Sequence, residues 1–185
     1  MDNALWALGR TSGMIALALF TLSVVLGILT GSGRALPGLP RFSVVLLHRN
    51  ISLLATVFLG LHVGTLLLDS YAKLTLGDLV VPFMGSYRPF WQGLGTVALD
   101  LVLAVIITGL LRHRLGLRAF RAIHWLSYVM WPIALAHGIG NGTEGRDSWF
   151  LVLAAASVAV AGAAVLWRVS AGFTETAKVR QGGIS

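Results

Sequence analysis

Five stretches of this chain, near 13–32, 43–68, 93–111, 120–138 and 149–167, are long and apolar enough to cross a lipid bilayer. A helix needs about 20 apolar residues to span a hydrocarbon core about 30 Å thick. In that core every backbone amide must find its partner inside the protein, which leaves a bundle of spanning helices as the fold for such a pattern. The 185 residues are 56% hydrophobic and only 11% charged, with a mean hydropathy of +0.82. The connections leave little room for an extramembrane domain. The expectation is an all-α integral membrane protein with five transmembrane helices over residues 1–170, followed by a short cytoplasmic tail at 171–185. The run at 13–32 is longer than the apolar part of a signal peptide, and "GSGRALPGLP" after it lacks a small-residue cleavage site, so it reads as a helix.

The charges sit at helix ends, and their asymmetry orients the bundle. Arg34, Arg41 and Arg49 fall at the first connection, Arg112, Arg114, Arg118 and Arg121 at the third, and Arg168, Lys178 and Arg180 at the C-terminal end. These are ten of the fourteen basic residues; Arg10, Lys73, Arg88 and Arg146 fall on the other side. The positive-inside rule then puts the N-terminus outside and the C-terminus in the cytoplasm. The net charge of +7 is thus a matter of lipid and topology, and no nucleic-acid partner is expected. Cysteine is absent, which excludes disulfides, iron–sulfur clusters and thiolate haem ligation.

The connection at 69–92 has Pro82, Pro89 and mixed polarity, which argue against a span. Its aromatics Tyr71, Phe83, Tyr87, Phe90 and Trp91 suit an outer interfacial lid.

Four of the five histidines lie in two of the five stretches. His48 and His62 are 14 residues apart on the second, and His124 and His137 are 13 apart on the fourth. Those two helices run parallel, since one span separates them. Each therefore supplies one histidine near the cytoplasmic face and one near the outer face. That is the arrangement for two haems stacked across the membrane, each iron taking one imidazole from each helix. The tiers would stand about 20 Å apart at 1.5 Å per residue. A 14-residue step returns to within about 40° of the starting face, whereas a 13-residue step misses by about 140°. Pro132, between His124 and His137, is the expected site of a helix distortion that brings His137 back to the bundle centre. A single membrane histidine is often only a packing residue; four at matched depths are hard to explain in that way. Zinc is a poor rival because the pairs lie far apart and no acidic cluster accompanies them.

The motifs "LLHRN…GLH" and "AIHW…AHG", with their 14 and 13 spacings and an intervening helix, resemble the ferric reductase-like transmembrane domain. That family includes NADPH oxidases, ferric reductases and the haem-binding membrane subunit of the periplasmic methionine sulfoxide reductase system. The resemblance extends over about residues 5–168 and looks strongest to small actinobacterial members. It implies a multi-pass protein of a bacterial plasma membrane with two b-type haems, the inner on His48 and His124 and the outer on His62 and His137. Many relatives carry a flavin- and nicotinamide-binding region after the last span. Here about 17 residues follow Arg168 and no GxGxxG is present, so a separate flavoprotein or membrane quinol is expected as electron donor. The acceptor stays open among oxygen, ferric iron, quinone and a periplasmic partner.

Other polar residues take candidate roles. Similar oxidase-like proteins have an arginine near the outer haem at the place of Arg10. Arg49, Arg118 and Arg121 are candidates for the propionates of the inner haem, or else anchors at lipid headgroups. Asp100 lies inside the third span, nearer its outer end, with Arg10 or Arg88 as possible partner; the pair either fastens helices or acts in haem electrostatics or proton supply. His113, flanked by Arg112 and Arg114, reads as solvated. Gly60 and Gly64 suit either close approach of a porphyrin or a helix–helix contact. Phe58 and Trp131 fall between the two levels, where they either fill that gap or simply pack in the core. The leading function is a transmembrane dihaem cytochrome b. Its rivals are a haem-binding anchor subunit of a larger redox enzyme, a haem-free scaffold or transporter, and another bis-histidine cytochrome family.

Overall fold

A computed structural model of the chain describes residues 2–32, 40–70, 72, 74–142 and 147–170. The expectations for Arg34, Tyr71, Lys73, Arg146, Lys178, Arg180 and the tail 171–185 lie outside the described residues. Seven helices follow one another: α1 Asp2–Ser32, α2 Arg41–Leu68, α3 Leu76–Val80, α4 Pro89–Leu110, α5 Arg112–His124, α6 Ser127–Asn141 and α7 Ser148–Val169. The described residues contain no strand. Four helices are long and apolar enough to cross a membrane: α1 from Ala4, α2, α4 and α7. Large side chains such as Leu53, Val57 and Ile107 are exposed on their outer faces, as a protein surrounded by lipid requires. The chain is a multi-pass, all-helical membrane protein.

The stretch expected as the fourth span is not one helix. Residues 112–124 form α5, in which Arg112, Arg114, Arg118 and Arg121 are all exposed. Arginine at mid-bilayer costs about 2.5–3.5 kcal/mol on insertion scales, so the arginine-bearing turns of α5 do not belong at mid-bilayer. Gly116 interrupts it with φ 80° and ψ 158°, a conformation natural to glycine alone. α6 carries the apolar remainder.

Between them the chain is overwound. Trp125 and Leu126 have ψ of −22° and −19°, and the amides of Leu126, Tyr128 and Val129 each bond the carbonyl three residues back. Such 3₁₀ winding turns about 120° per residue against about 100° in an α-helix. The overwound turn therefore advances the phase of α6 in the direction that a 13-residue step needs to return to its starting face. The three bonds span residues 123–129. The distortion is therefore at Trp125–Leu126 and not, as expected, at Pro132, which sits inside a continuous α6.

α1 and α2 pack along their length as an antiparallel pair, α4 packs on α6, and α1 also meets α6 and α7. Leu17, Leu135, Phe150 and Ala154 form one core cluster; Ala98, Val102 and Met130 form another, with Phe20 and Leu59 against it. Trp131 packs beside the first cluster and donates its indole N–H to Thr21 Oγ1 at 2.9 Å. No neighbour lies within 4 Å of where a Cβ would stand on Gly60 or Gly64, so of their two expected roles the helix–helix contact is not made among the described residues.

The 69–92 connection is no span. α3 is one short turn capped by Thr75, whose hydroxyl accepts from the amide of Asp78. Phe83 stacks on Phe90 at 6.2 Å and lies over Gly93, leaving no room for a side chain there. Phe90 in turn meets Trp91 edge to face.

Candidate histidine site

The four histidines meet in two tiers. His62 on α2 and His137 on α6 have ring centroids 6.4 Å apart with planes at 78°. His48 on α2 and His124 at the end of α5 are 6.1 Å apart at 90°. We call the end of the bundle where α1 begins the upper end; the His62 tier is nearer to it. Two imidazoles that hold one metal ion from opposite sides, with metal–nitrogen bonds of about 2 Å and conjugated ring bonds of about 1.33 Å, have centroids about 6.2 Å apart. Both tiers match that separation. Among the described residues no cluster of three or more ligating side chains occurs, so each tier offers two ligands only.

The backbone fixes which nitrogen each ring presents. Nδ1–H of His62 donates to the carbonyl of Gly9 at 2.6 Å, that of His137 to Trp91 at 2.8 Å, and that of His48 to Ser23 at 3.0 Å. A ring that donates through Nδ1 keeps the lone pair of Nε2 for a metal. Ser23 and Ser52 hydroxyls, 2.6 Å apart, lie beside His48. His124 differs: its Nδ1 is buried without a hydrogen-bond partner among the described residues.

Glycines on the facing helices seat the rings. A Cβ on Gly13 would stand 2.6 Å from His62 Nδ1, one on Gly95 2.6 Å from His137 Cε1, and one on Gly27 3.3 Å from His48 Cε1. Gly109 faces Phe120, whose ring lies against His124. Gly13 and Gly27 are 14 residues apart, as are Gly95 and Gly109. This spacing repeats the 14-residue step of His48 and His62 on the opposing helix. It is a signal that the sequence reading passed over.

Each tier opens into its own cavity. The upper one, about 380 Å³, is lined mainly by apolar side chains together with His62, His137, Arg10, Tyr87, Gln92 and Asn141. The lower one, about 410 Å³, contains His48, His124, Ser23, Ser52, Arg121 and Arg168 among its walls. Phe20, Val102 and Met130 line both and divide them. Phe58 and Trp131, expected between the tiers, line neither.

The remaining candidates scatter. Arg10 lines the upper cavity with its guanidinium 4.0 Å over the Trp6 ring. Arg121 reaches the lower cavity, whereas Arg49 and Arg118 are exposed and line neither. Arg88 donates to the carbonyl of Gly140 at 2.7 Å. Asp100 is exposed and makes no ion pair with Arg10 or Arg88. His113 is exposed. Arg168 enters the site unforeseen: it donates to the Tyr128 hydroxyl at 2.7 Å and lies 4.4 Å over the Trp125 ring.

No curated protein and no solved structure matches the chain. The model of one protein family, described as ferric reductase like transmembrane component, matches residues 12–135. That segment is more than half of the sequence; it takes in three of the paired histidines and stops two residues short of His137. The chain therefore belongs to the ferric reductase-like transmembrane family.

Proposed function

We propose that the chain is a dihaem cytochrome of b type, with one haem between His62 and His137 and the other between His48 and His124. Family membership carries a membrane redox role. The observation that bears the finer reading is the imidazole spacing of 6.1 and 6.4 Å, close to the separation of about 6.2 Å expected across one metal ion. Haem iron with two imidazole ligands exchanges single electrons and leaves no free coordination position. The chain's own residues supply the rest. Backbone carbonyls hold three rings by Nδ1, glycines admit the rings, and Phe20, Val102 and Met130 keep the cavities apart.

In this reading the chain has five crossings, with α6 as the short one, its N-terminus outside and the His48 tier toward the cytoplasm of a bacterial plasma membrane. It carries electrons from a flavoprotein or quinol on the cytoplasmic side to an acceptor outside, which is oxygen, ferric iron, quinone or a periplasmic partner. Arg10 in the upper cavity, and Arg121 with Arg168 in the lower, are the cations placed to meet haem propionates. Arg49 and Arg118, exposed, meet lipid headgroups instead.

The test is haem quantitation on the purified protein and on single His→Ala variants. Two haems per chain are expected, with one lost from each of His48→Ala, His62→Ala, His124→Ala and His137→Ala. A reduced α band of unchanged intensity in any of the four defeats that ligand's assignment. Protein that takes up no haem on reconstitution favours a haem-free scaffold or transporter.

A further inference from the structure

Asp100 is the only acidic side chain in the four long spans. It stands in the middle of α4, about 15 Å from either end at 1.5 Å per residue. Its nearer-outer placement by sequence came from starting this helix at residue 93; the helix starts at Pro89. Ala98 and Val102, two positions to either side, are buried and line the cavities. Asp100 is therefore on the opposite face of α4, turned away from the bundle. It shares that face with Leu103, Ile107 and Leu110, all exposed. The upper part of the face is covered: Phe83 lies over Gly93, and Thr96 Oγ1 donates to the Asp78 carbonyl at 2.7 Å. The cover ends above Asp100, and among the described residues nothing bonds its carboxylate. Intramembrane carboxylates almost always face a bundle interior and pair with a cation. This one faces out.

We infer that the Asp100 face of α4 docks a transmembrane helix of a second protein that carries an arginine or lysine at mid-span. Charge complementarity selects that occupant. Two copies of this chain joined through the face by two-fold symmetry would set carboxylate against carboxylate. Among the described residues, Arg49 stands beside the lower tier and Arg10 and Arg88 toward the upper end, at other depths than Asp100. The inference requires α4 to cross the membrane and does not depend on haem binding.

The full chain has no cysteine, so a single dye can be attached through Ser148→Cys at the start of α7. The labelled protein is reconstituted in phosphatidylcholine vesicles with a donor-labelled synthetic Leu/Ala helix of about 23 residues bearing one central arginine. Energy transfer is expected to report binding about tenfold tighter than that of the same peptide with central leucine, the scale of polar helix–helix contacts in lipid. Asp100→Asn should abolish the preference, Asp100→Glu should keep it, and Asp100→Arg should transfer it to a peptide with central glutamate. Equal binding of the arginine and leucine peptides overturns the inference, as does a preference that survives Asp100→Asn in a variant whose helicity is unchanged. Self-association of the wild-type chain that disappears in Asp100→Asn also overturns it, in favour of a second copy.

Discussion

The two tiers have nearly equal imidazole spacing but are built differently. In the upper tier both rings are tied by Nδ1 to backbone carbonyls, of Gly9 and Trp91, and both lie hard against a glycine. In the lower tier His48 is tied to Ser23, its glycine stands further off, and His124 has no Nδ1 partner among the described residues. The upper pair comes from two continuous helices, α2 and α6. The lower pair includes the last residue of α5, beside an overwound turn. The same pair of residue types is thus held by two tethers at one end and by one at the other. Loss of an orienting partner typically costs 10–100-fold in metal affinity, so this difference in support should be measurable.

The sharpest contrast is steric. Gly13→Ala or Gly95→Ala puts a methyl group 2.6 Å from an atom of a ring that cannot retreat without breaking its Nδ1 bond. Haem affinity of the upper tier is expected to fall about 10–100-fold. Gly27→Ala meets His48 at 3.3 Å, and a shift of a few tenths of an ångström in that ring should cost no more than about threefold. Haem titration of apoprotein, with the tiers resolved in His62→Ala and His48→Ala backgrounds, measures both. Equal losses from Gly27→Ala and Gly95→Ala would break the comparison.

A second consequence is kinetic. With one untethered ligand, the lower tier should release haem about tenfold faster than the upper to an excess of apomyoglobin, the low end of an orienting partner's effect. The spectrum left after the fast phase should match that of His124→Ala. Loss in a single phase, or a residual spectrum matching His137→Ala, would mean that tethering of Nδ1 does not decide retention.

The pairing of histidines was legible because spacing along a helix fixes depth, and two parallel helices must present equal depths together. What escaped was local winding. A 13-residue step needs a compensating twist, and proline is the conspicuous cause of one in a sequence. The chain instead overwinds at Trp125–Leu126, two residues with no such signature. The start of the fourth span was set by hydrophobicity, although Arg118 and Arg121 on either side of its boundary belong to a separate basic helix. The glycines were read by proximity on α2, where Gly60 and Gly64 face open space. The informative ones, Gly13, Gly27, Gly95 and Gly109, lie on the helices opposite the histidines. The depth of Asp100 depends on where α4 starts, and its outward face follows from the burial of Ala98 and Val102 on the other side of the helix.

The lower cavity also differs in charge. Arg168 lines it, fixed by the Tyr128 hydroxyl and the Trp125 ring, with Arg121 nearby, whereas Arg10 is the arginine among the upper walls. A nearby cation favours the reduced, less positive form of a haem. Arg168→Gln is expected to lower the midpoint potential of the lower haem by about 40 mV, equivalent to about 1 kcal/mol for one electron, and to leave the upper haem unchanged. Redox titration in the His62→Ala and His48→Ala backgrounds separates the two. A drop of equal size in both would show that Arg168 acts through the bundle as a whole.

Trp131 offers the smallest effect and a control on all the others. Its indole reaches across to Thr21 on α1 from the α6 segment between His124 and His137, and it lines neither cavity. Trp131→Phe removes one hydrogen bond and leaves the Thr21 hydroxyl its bond to the Leu17 carbonyl, so no buried donor is stranded. The expected loss is about 0.5–1 kcal/mol of unfolding stability, read from unfolding in a mixed-detergent titration. Because the bond ties α6 to α1 between the tiers, the loss should leave the ratio of upper to lower haem affinity where it was. A change confined to one tier would mean that the tiers are not set by their own ligands and glycines, and that the difference between them comes from the packing between them.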